Sequence, residues 1–173
     1  MQENEVRTEL VIPAPIDDVW RVLVDFTGYA DWNPVMEYTQ VDDLKTKVKA
    51  AKGTPFERDF EGEITSAEKY VLASQGGDPA TFFGRHRWEL SEVDGGTRLV
   101  NVEEFTGPMA AGVLAQTRDV LVAEFDTFND ALRRLFVQAE AEGMSRGVEQ
   151  HPDARLRLEL GHARPQGHRL GDG

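Results

Sequence analysis

The chain contains no cysteine among its 173 residues. This absence excludes disulfide bonds, thiolate metal ligands and a cysteine nucleophile. It also contains no apolar run approaching the roughly 18 residues that a membrane-spanning helix needs. Its first residues, Met-Gln-Glu-Asn-Glu, are acidic where a secretory signal would be basic and then apolar. We therefore expect a cytoplasmic protein without stable membrane association.

Basic residues are few, with 19 Lys and Arg against 31 Asp and Glu and a formal net charge of −12. Binding to nucleic acid depends on clustered Lys and Arg, so we expect no nucleic-acid partner. The sequence also lacks Gly-x-Ser-x-Gly, a phosphate-binding glycine loop, a dinucleotide fingerprint and His-Glu-x-x-His. Hydrolase, kinase, dehydrogenase and zinc-protease functions therefore have no support, and we expect neither a cofactor nor a metal.

Strand and helix patterns follow one another along the first hundred residues. Alternation from Val6 to Ile12 predicts a strand. Apolar residues at helical spacing from Ile16 to Phe26 predict a helix that Gly28 ends, and a short second helix is predicted at Tyr29–Trp32. Further strands are predicted at about 35–42, 45–52, 56–66, 70–75, 82–92 and 97–106. Their short connections favour an antiparallel sheet.

A long helix is predicted from about Pro108 to Glu142, because apolar residues recur there at spacings of three and four. We expect its half at 125–136 to close the sheet and its small-residue half at 109–119 to line a cavity. Residues 1–142 would then form one domain. Residues 143–173, with six glycines and two prolines, are predicted to be a flexible tail with a marginal strand at 155–160. The apolar stripe comprises Leu114, Leu121, Phe125, Phe128, Leu132, Leu135 and Phe136.

The dipeptide Asp94-Gly95 predicts a tight hairpin turn between the last two strands. If these two residues form the loop, Val93 faces Gly96 and the numbers of all cross-strand partners sum to 189. Partners point to the same side of a sheet. The pair Leu90–Leu99 marks the core side, so the pairs Trp88–Asn101 and His86–Glu103, and Phe105 beside them, are also predicted to point inward.

Residues 10–35, "LVIPAPIDDVWRVLVDFTGYADWNPV", and 84–107, "GRHRWELSEVDGGTRLVNVEEFTG", resemble the START-like polyketide cyclase/dehydrase and lipid-transport superfamily, also termed SRPBCC proteins. Residues 125–136 resemble its final helix. The resemblance implies an α+β helix-grip fold, in which a curved seven-stranded antiparallel sheet surrounds the long C-terminal helix and two short helices follow strand 1. It further implies a cavity for a hydrophobic small molecule. The matching motifs are structural, and no catalytic residue is transferred by them.

His86 and Glu103 are the candidate catalytic pair. A histidine opposite a carboxylate in an apolar cavity can act as a general acid or base. The carboxylate is expected to set the imidazole tautomer and to raise the pKa of the imidazole, while burial acts in the opposite direction. The alternative interpretation is a hydrogen-bonded pair that braces the sheet without chemistry.

Seven further side chains are candidate ligand contacts. Arg58 shares a strand face with Phe60 and is expected to be a cavity cation for an acidic ligand. Gln116 and Arg118, in the small-residue half of the helix, are expected to contact a carboxylate, phosphate or enolate, or alternatively to form a solvated helix surface. The complete set is Tyr38, Arg58, Trp88, Asn101, Phe105, Gln116 and Arg118.

Three functions compete at this point. The first is binding of a hydrophobic small molecule by a cofactor-independent cyclase or dehydratase-like enzyme that acts on a polyketide-like substrate through His86 and Glu103. The second is a non-enzymatic carrier or sensor of a lipid-like ligand. The third is a chaperone-like module that binds a protein client, which would require an exposed apolar patch of roughly several hundred Å².

Overall fold

A computed structural model describes residues 4–42, 44–55 and 57–141. Phe56, Glu142 and the predicted tail at 143–173 with its marginal strand lie outside the described residues. The elements are, in chain order, β1 (Glu5–Ile12), α1 (Ile16–Leu23), a 3-10 turn (Phe26–Gly28), α2 (Tyr29–Trp32), β2 (Met36–Asp42), β3 (Lys45–Ala50), β4 (Arg58–Glu68), β5 (Val71–Asp78), β6 (Phe82–Val93), β7 (Gly96–Thr106) and α3 (Ala110–Ala141).

The seven strands of the described chain form one antiparallel sheet in the order β1-β7-β6-β5-β4-β3-β2. The sheet curls into a half-barrel around α3, which packs most closely against β1 and β7. The two short helices follow β1 and contact β2, β6 and β7. The predicted helix-grip fold is therefore confirmed. None of the described helices is long and apolar enough to cross a membrane.

The hairpin between β6 and β7 has the predicted register. Val93 pairs with Gly96, Leu90 with Leu99, and His86 with Glu103. The positive φ angles fall on Gly95 (86°) and Gly96 (141°), not on Asp94. A Cβ on Gly96 would lie 2.1 Å from the carbonyl oxygen of Ile12, so the close approach of β1 also requires glycine there.

The first helix is shorter than predicted. It ends at Leu23, and Val24 has φ −94° and ψ −3° as its C-cap. Asp25 then leaves the helix and caps the 3-10 turn, because its carboxylate accepts hydrogen bonds from the Gly28 N–H and the Thr27 hydroxyl. Phe26 is buried as its spacing suggested, but it belongs to the turn and not to the helix.

Two strand ends also differ from prediction. β3 stops at Ala50 instead of residue 52, because Ala51 adopts φ 53° and turns the chain. β5 continues through Gly76 and Gly77 to Asp78, beyond its predicted end at residue 75. Gly76 pairs with Gly62 on one side and with Gly84 on the other, so Gly76 is part of the sheet and does not form a turn.

Two groups of buried apolar residues hold α3 in the sheet. One group surrounds Trp88, Tyr29 and Phe128 at the end closed by the short helices. The other surrounds Phe105, Leu121 and Phe125 toward the start of α3. The predicted stripe is confirmed from Leu114 to Leu132, which are buried, and it continues in Leu135 and Phe136, which are partly buried. A pocket lies between the helix and the sheet.

Candidate functional site

The pocket has a volume of about 380 Å³ and is lined by residues of α3 and of the inner face of the sheet. Most of its lining is apolar, with a few polar side chains grouped on β6, β7 and the middle of α3. Such a lining is typical of sites for small, largely apolar molecules. The lining residues of α3 are Val113, Thr117, Val120, Leu121, Glu124, Phe125 and Phe128. The helix therefore borders the pocket well beyond the predicted segment 109–119.

His86 lies between two aromatic rings. Its ring stacks on Trp88 with centroids 3.8 Å apart and on Phe125 with centroids 4.8 Å apart. Both contacts are nearly parallel, with interplanar angles of 17° and 18°. The faces of the imidazole are thus covered, and only its edge nitrogens are left for hydrogen bonding or proton transfer.

The two nitrogens of His86 face different partners. Nε2 lies 2.6 Å from Asn101 Oδ1, which is a short hydrogen bond. Nδ1 lies 3.6 Å from Glu103 Oε2. The expectation that the carboxylate sets the tautomer is therefore corrected, because Asn101 makes the hydrogen bond and Glu103 stands slightly outside hydrogen-bond distance.

Burial determines the protonation of both members of the pair. It lowers the pKa of His86 from 6.5 to about 4, and the hydrogen bond to Asn101 opposes part of this change. Burial also raises the pKa of Glu103 from 4.5 to about 7; nearby Arg58 acts to lower this pKa and Glu124 to raise it. At neutral pH the imidazole is therefore uncharged, and the carboxyl group is divided between its acid and its ionised form.

Glycine at position 84 makes room for the Glu103 side chain. Gly84 pairs with Phe105 across the hairpin, and a Cβ there would lie 2.2 Å from Glu103 Oε1. The carboxyl group of Glu103 therefore lies against the backbone of β6, and any residue other than glycine at position 84 would displace it. Gly62 and Gly76 continue the same row across β4 and β5, so this part of the pocket floor has no side chains.

Arg58 and Glu124 form an ion pair between the first residue of β4 and the middle of α3. Their closest contact is 3.3 Å, and both side chains line the pocket. Arg58 is the more exposed partner, with 46% of its side chain accessible against 14% for Glu124. Arg58 thus lines the pocket with a carboxylate beside it, and its role as a cation for an acidic ligand stays a prediction.

The remaining candidate contacts divide into two groups. Tyr38, Trp88, Asn101 and Phe105 line the pocket. Gln116 and Arg118 do not belong to its lining: Gln116 is exposed and bonds the carbonyl oxygen of Gly112, and Arg118 donates to the carbonyl oxygen of Glu5. The expectation that Gln116 and Arg118 contact the ligand is therefore corrected. Val113, Thr117 and Val120 are the residues that face the pocket, and they lie on a different side of α3.

Several residues in or beside the pocket were not found from the sequence. Ser74 pairs with His86 across β5 and β6, but the loop between those strands has no two-residue turn signature from which to derive the register. Glu124 lies three residues after Leu121 and four before Phe128, and this spacing could have identified it. Asn129, fully buried next to Asn101, is a polar residue inside the apolar stripe, which was also a usable signal.

Opposite pH dependences of stability are expected when the two members of the pair are replaced separately. Glu103→Gln leaves the lowered pKa of His86 in place, so the free energy of unfolding should rise by roughly 3 kcal/mol between pH 4 and 6.5 relative to the double variant. His86→Gln leaves the raised pKa of Glu103, so stability should fall by a similar amount between pH 4.5 and 7.

Urea unfolding at a series of pH values measures both slopes, with the double variant as the common reference. In the wild-type protein the two effects oppose each other over most of this range and should largely cancel. Parallel slopes in the two single variants would contradict the assigned protonation states.

No group of three or more His, Asp or Glu side chains within the described ranges is arranged to hold a metal ion.

Comparison with known proteins gives a family and a fold. Residues 3–137 match the family model described as polyketide cyclase / dehydrase and lipid transport. No curated protein matches the chain. Solved structures that share the fold include the Zhui aromatase/cyclase from Streptomyces sp. R1128, with 21% identity, a TM-score of 0.58, and coverage of 83% of this chain and 97% of that one.

Two further structures show the same architecture. Protein TTHA0849 from Thermus thermophilus is 20% identical with a TM-score of 0.58, and the match covers 78% of this chain and 98% of that one. The di-domain ARO/CYC StfQ from the steffimycin biosynthetic pathway is 15% identical with a TM-score of 0.60, over 80% of this chain and 52% of that one. With its fold, its pocket and the matched family model, the chain belongs to the polyketide cyclase/dehydrase and lipid-transport family of START-like (SRPBCC) proteins.

Proposed function

We propose that the pocket binds a largely apolar small molecule and that Glu103 and His86 catalyse cofactor-independent cyclisation or dehydration of a polyketide-like substrate. The observation that carries the proposal is a carboxyl group with a pKa of about 7 beside an uncharged imidazole in an apolar pocket. General acids and bases work best when their pKa lies near the working pH. The family description and the aromatase/cyclase name of one structural neighbour support the same chemistry.

Dehydration of a β-hydroxy ketone illustrates the proposed chemistry. Ionised Glu103 removes a proton from the carbon between the carbonyl and the hydroxyl-bearing carbon, and an enolate forms. The resulting acid then protonates the hydroxyl group, which leaves as water while the enolate electrons form the new C=C bond. The carboxylate is regenerated, and the only net change is the loss of one water.

Cyclisation uses the same proton carrier. An enolate formed at one carbon attacks a second carbonyl group of the folded substrate, and the new alkoxide takes the proton back from Glu103. His86 has too low a pKa to be the stronger base, so its role is to face the carboxyl group through Nδ1 and to accept its proton transiently. In this proposal both residues transfer protons, and Glu103 is the main proton carrier.

A non-enzymatic carrier or sensor of a lipid-like ligand is the second candidate, and the predominantly apolar lining favours it. The chaperone-like alternative has less support. The large apolar side chains that are exposed in the described part of the chain are Val11, Val93, Met109 and Val137, and they lie on β1, at the end of β6, just before α3 and near the C-terminal end of α3. They do not suggest one contiguous binding patch.

Filling the pocket should abolish ligand binding. Thr117 lines the pocket from α3, and its hydroxyl group bonds only the Val113 carbonyl oxygen of its own helix in the described contacts. Thr117→Trp therefore adds a large ring to the pocket without removing a tertiary hydrogen bond. Native mass spectrometry of protein purified from its own host should show a co-purifying small molecule on the wild type, and at least about tenfold less on the variant.

The matched control is Gln116→Trp, which places the same ring on the neighbouring, exposed position outside the pocket lining. It should retain the adduct. Equal retention by both variants would show that the ligand binds elsewhere. The mass of the adduct also separates a polyketide-like from a lipid-like ligand.

A further inference from the structure

A chain of hydrogen bonds connects His86 to the opposite side of the core. Asn129 on α3 donates from Nδ2 to the hydroxyl oxygen of Thr8 on β1, over 2.8 Å. Asn101 on β7 donates from Nδ2 to Asn129 Oδ1, over 3.0 Å. Asn101 Oδ1 then faces His86 Nε2 at 2.6 Å. Four side chains from β1, α3, β7 and β6 are joined in this way.

The chain has a direction because each carboxamide has one donating and one accepting end. Asn129 uses its donor on Thr8 and its acceptor on Asn101. Asn101 turns its amino group toward Asn129, and its oxygen is the atom that faces the imidazole. An oxygen acceptor requires a proton on His86 Nε2, and a neutral imidazole carries one N–H only. His86 Nδ1 is then an unprotonated acceptor that faces Glu103.

Burial makes the pairing of the two amides costly to break. Asn129 and Asn101 are 0% and 1% exposed, so water cannot replace a lost partner of either amide. Thr8 ends the chain with a hydroxyl group, which can accept as well as donate. The competing arrangement reverses both amides and places the proton of His86 on Nδ1, facing an ionised Glu103.

We propose that Asn129 and Thr8 are positioning residues, which act through Asn101 to hold His86 in its neutral Nε2–H form with Nδ1 as the proton acceptor for Glu103. The inference deepens the proposed function, since it assigns the residues that prepare the acid–base pair. Other charged groups close to the pair are Arg58 and Glu124, and neither belongs to the hydrogen-bond chain.

Imidazole nitrogen NMR tests the inference without a substrate. Two-bond ¹H–¹⁵N spectra of ¹⁵N-labelled protein near neutral pH should show His86 as the Nε2–H tautomer. His86→Gln identifies its signals among those of the histidines at 151, 162 and 168. A predominant Nδ1–H tautomer would overturn the proposal, whatever the protein's activity, so this failure is distinguishable from failure of the proposed function.

Two substitutions test whether the chain sets the tautomer. Asn129→Leu removes the acceptor for Asn101 and allows that amide to reverse, so the preference for Nε2–H should fall from about tenfold toward equal populations. Thr8→Val removes the terminal acceptor with little change in shape and should reduce the preference in the same direction. If Asn129→Leu does not fold, the tautomer can still be measured in Thr8→Val.

Thr97→Val is the control, because Thr97 is a fully buried threonine whose hydroxyl group bonds the Ala14 carbonyl oxygen away from this chain. It should lower stability and leave the His86 tautomer unchanged. An unchanged tautomer in Thr8→Val and in every folded Asn129 variant would overturn the positioning role. A change in Thr97→Val as large as in Thr8→Val would do the same.

Discussion

Phe128→Ala should lower the free energy of unfolding by about 3–5 kcal/mol, which is the usual cost of truncating a buried phenylalanine. Phe128 is 3% exposed and joins three elements, since its ring lies 6.0 Å from Tyr29, 5.4 Å from Trp32 and 6.0 Å from Trp88, measured between centroids. Its removal leaves a space where α3 meets α2 and β6. Urea unfolding followed by circular dichroism measures the loss.

Val137→Ala is the control for Phe128, because Val137 is also on α3 but is 44% exposed. Its effect should stay within about 0.5 kcal/mol. Phe128 also borders the pocket, so ligand binding should weaken in its variant even at low temperature, where the protein is folded. A loss of less than about 1 kcal/mol would show that the end of the sheet is closed by other contacts.

Local sequence signals placed His86 opposite Glu103 because a short turn determines register. Once Asp94-Gly95 is placed in the loop, every partner along β6 and β7 follows, including His86 and Glu103. No comparable turn joins β5 to β6, and Ser74 was therefore missed. Periodicity likewise predicted which residues of α3 are buried, since burial repeats along one side of a helix.

The rotation of a helix about its own axis depends on tertiary packing, and the sequence did not predict which side of α3 faces the pocket. The small residues near the start of α3 suggested that Gln116 and Arg118 border the pocket. The sheet instead meets the side that carries Thr117 and Leu121. Small residues near a polar side chain indicate that space is available around the helix. They do not determine which side of the helix faces the pocket.

Protonation states depended on burial, which no local pattern measures. The sequence suggested a carboxylate that raises the pKa of a histidine. The structure places both groups in a site where burial opposes the charged form of each, and burial is the largest influence on both pKa values. The consequence is chemical, because the group that titrates near neutral pH is the carboxyl group of Glu103 and not the imidazole of His86.

Turnover should therefore depend on Glu103. With a hydrophobic β-hydroxy ketone as the substrate, Glu103→Gln should lower kcat/KM by about 10²–10⁴-fold, the usual contribution of a general acid or base. His86→Ala should also reduce turnover, within the same range at most, while ligand binding largely persists. Loss of one water from the substrate, followed by mass spectrometry, measures the reaction.

The pH profile separates this role from a structural one. Because ionised Glu103 starts the proposed reaction, kcat/KM of the wild type should rise with pH and level off above about 7, where the carboxyl group is ionised. Glu103→Gln should lose that inflection, and Gln116→Ala, outside the pocket, should keep both rate and profile. Full activity in both Glu103→Gln and His86→Ala would exclude acid–base catalysis by this pair. Wild-type protein that binds the ketone and never dehydrates it would favour a carrier.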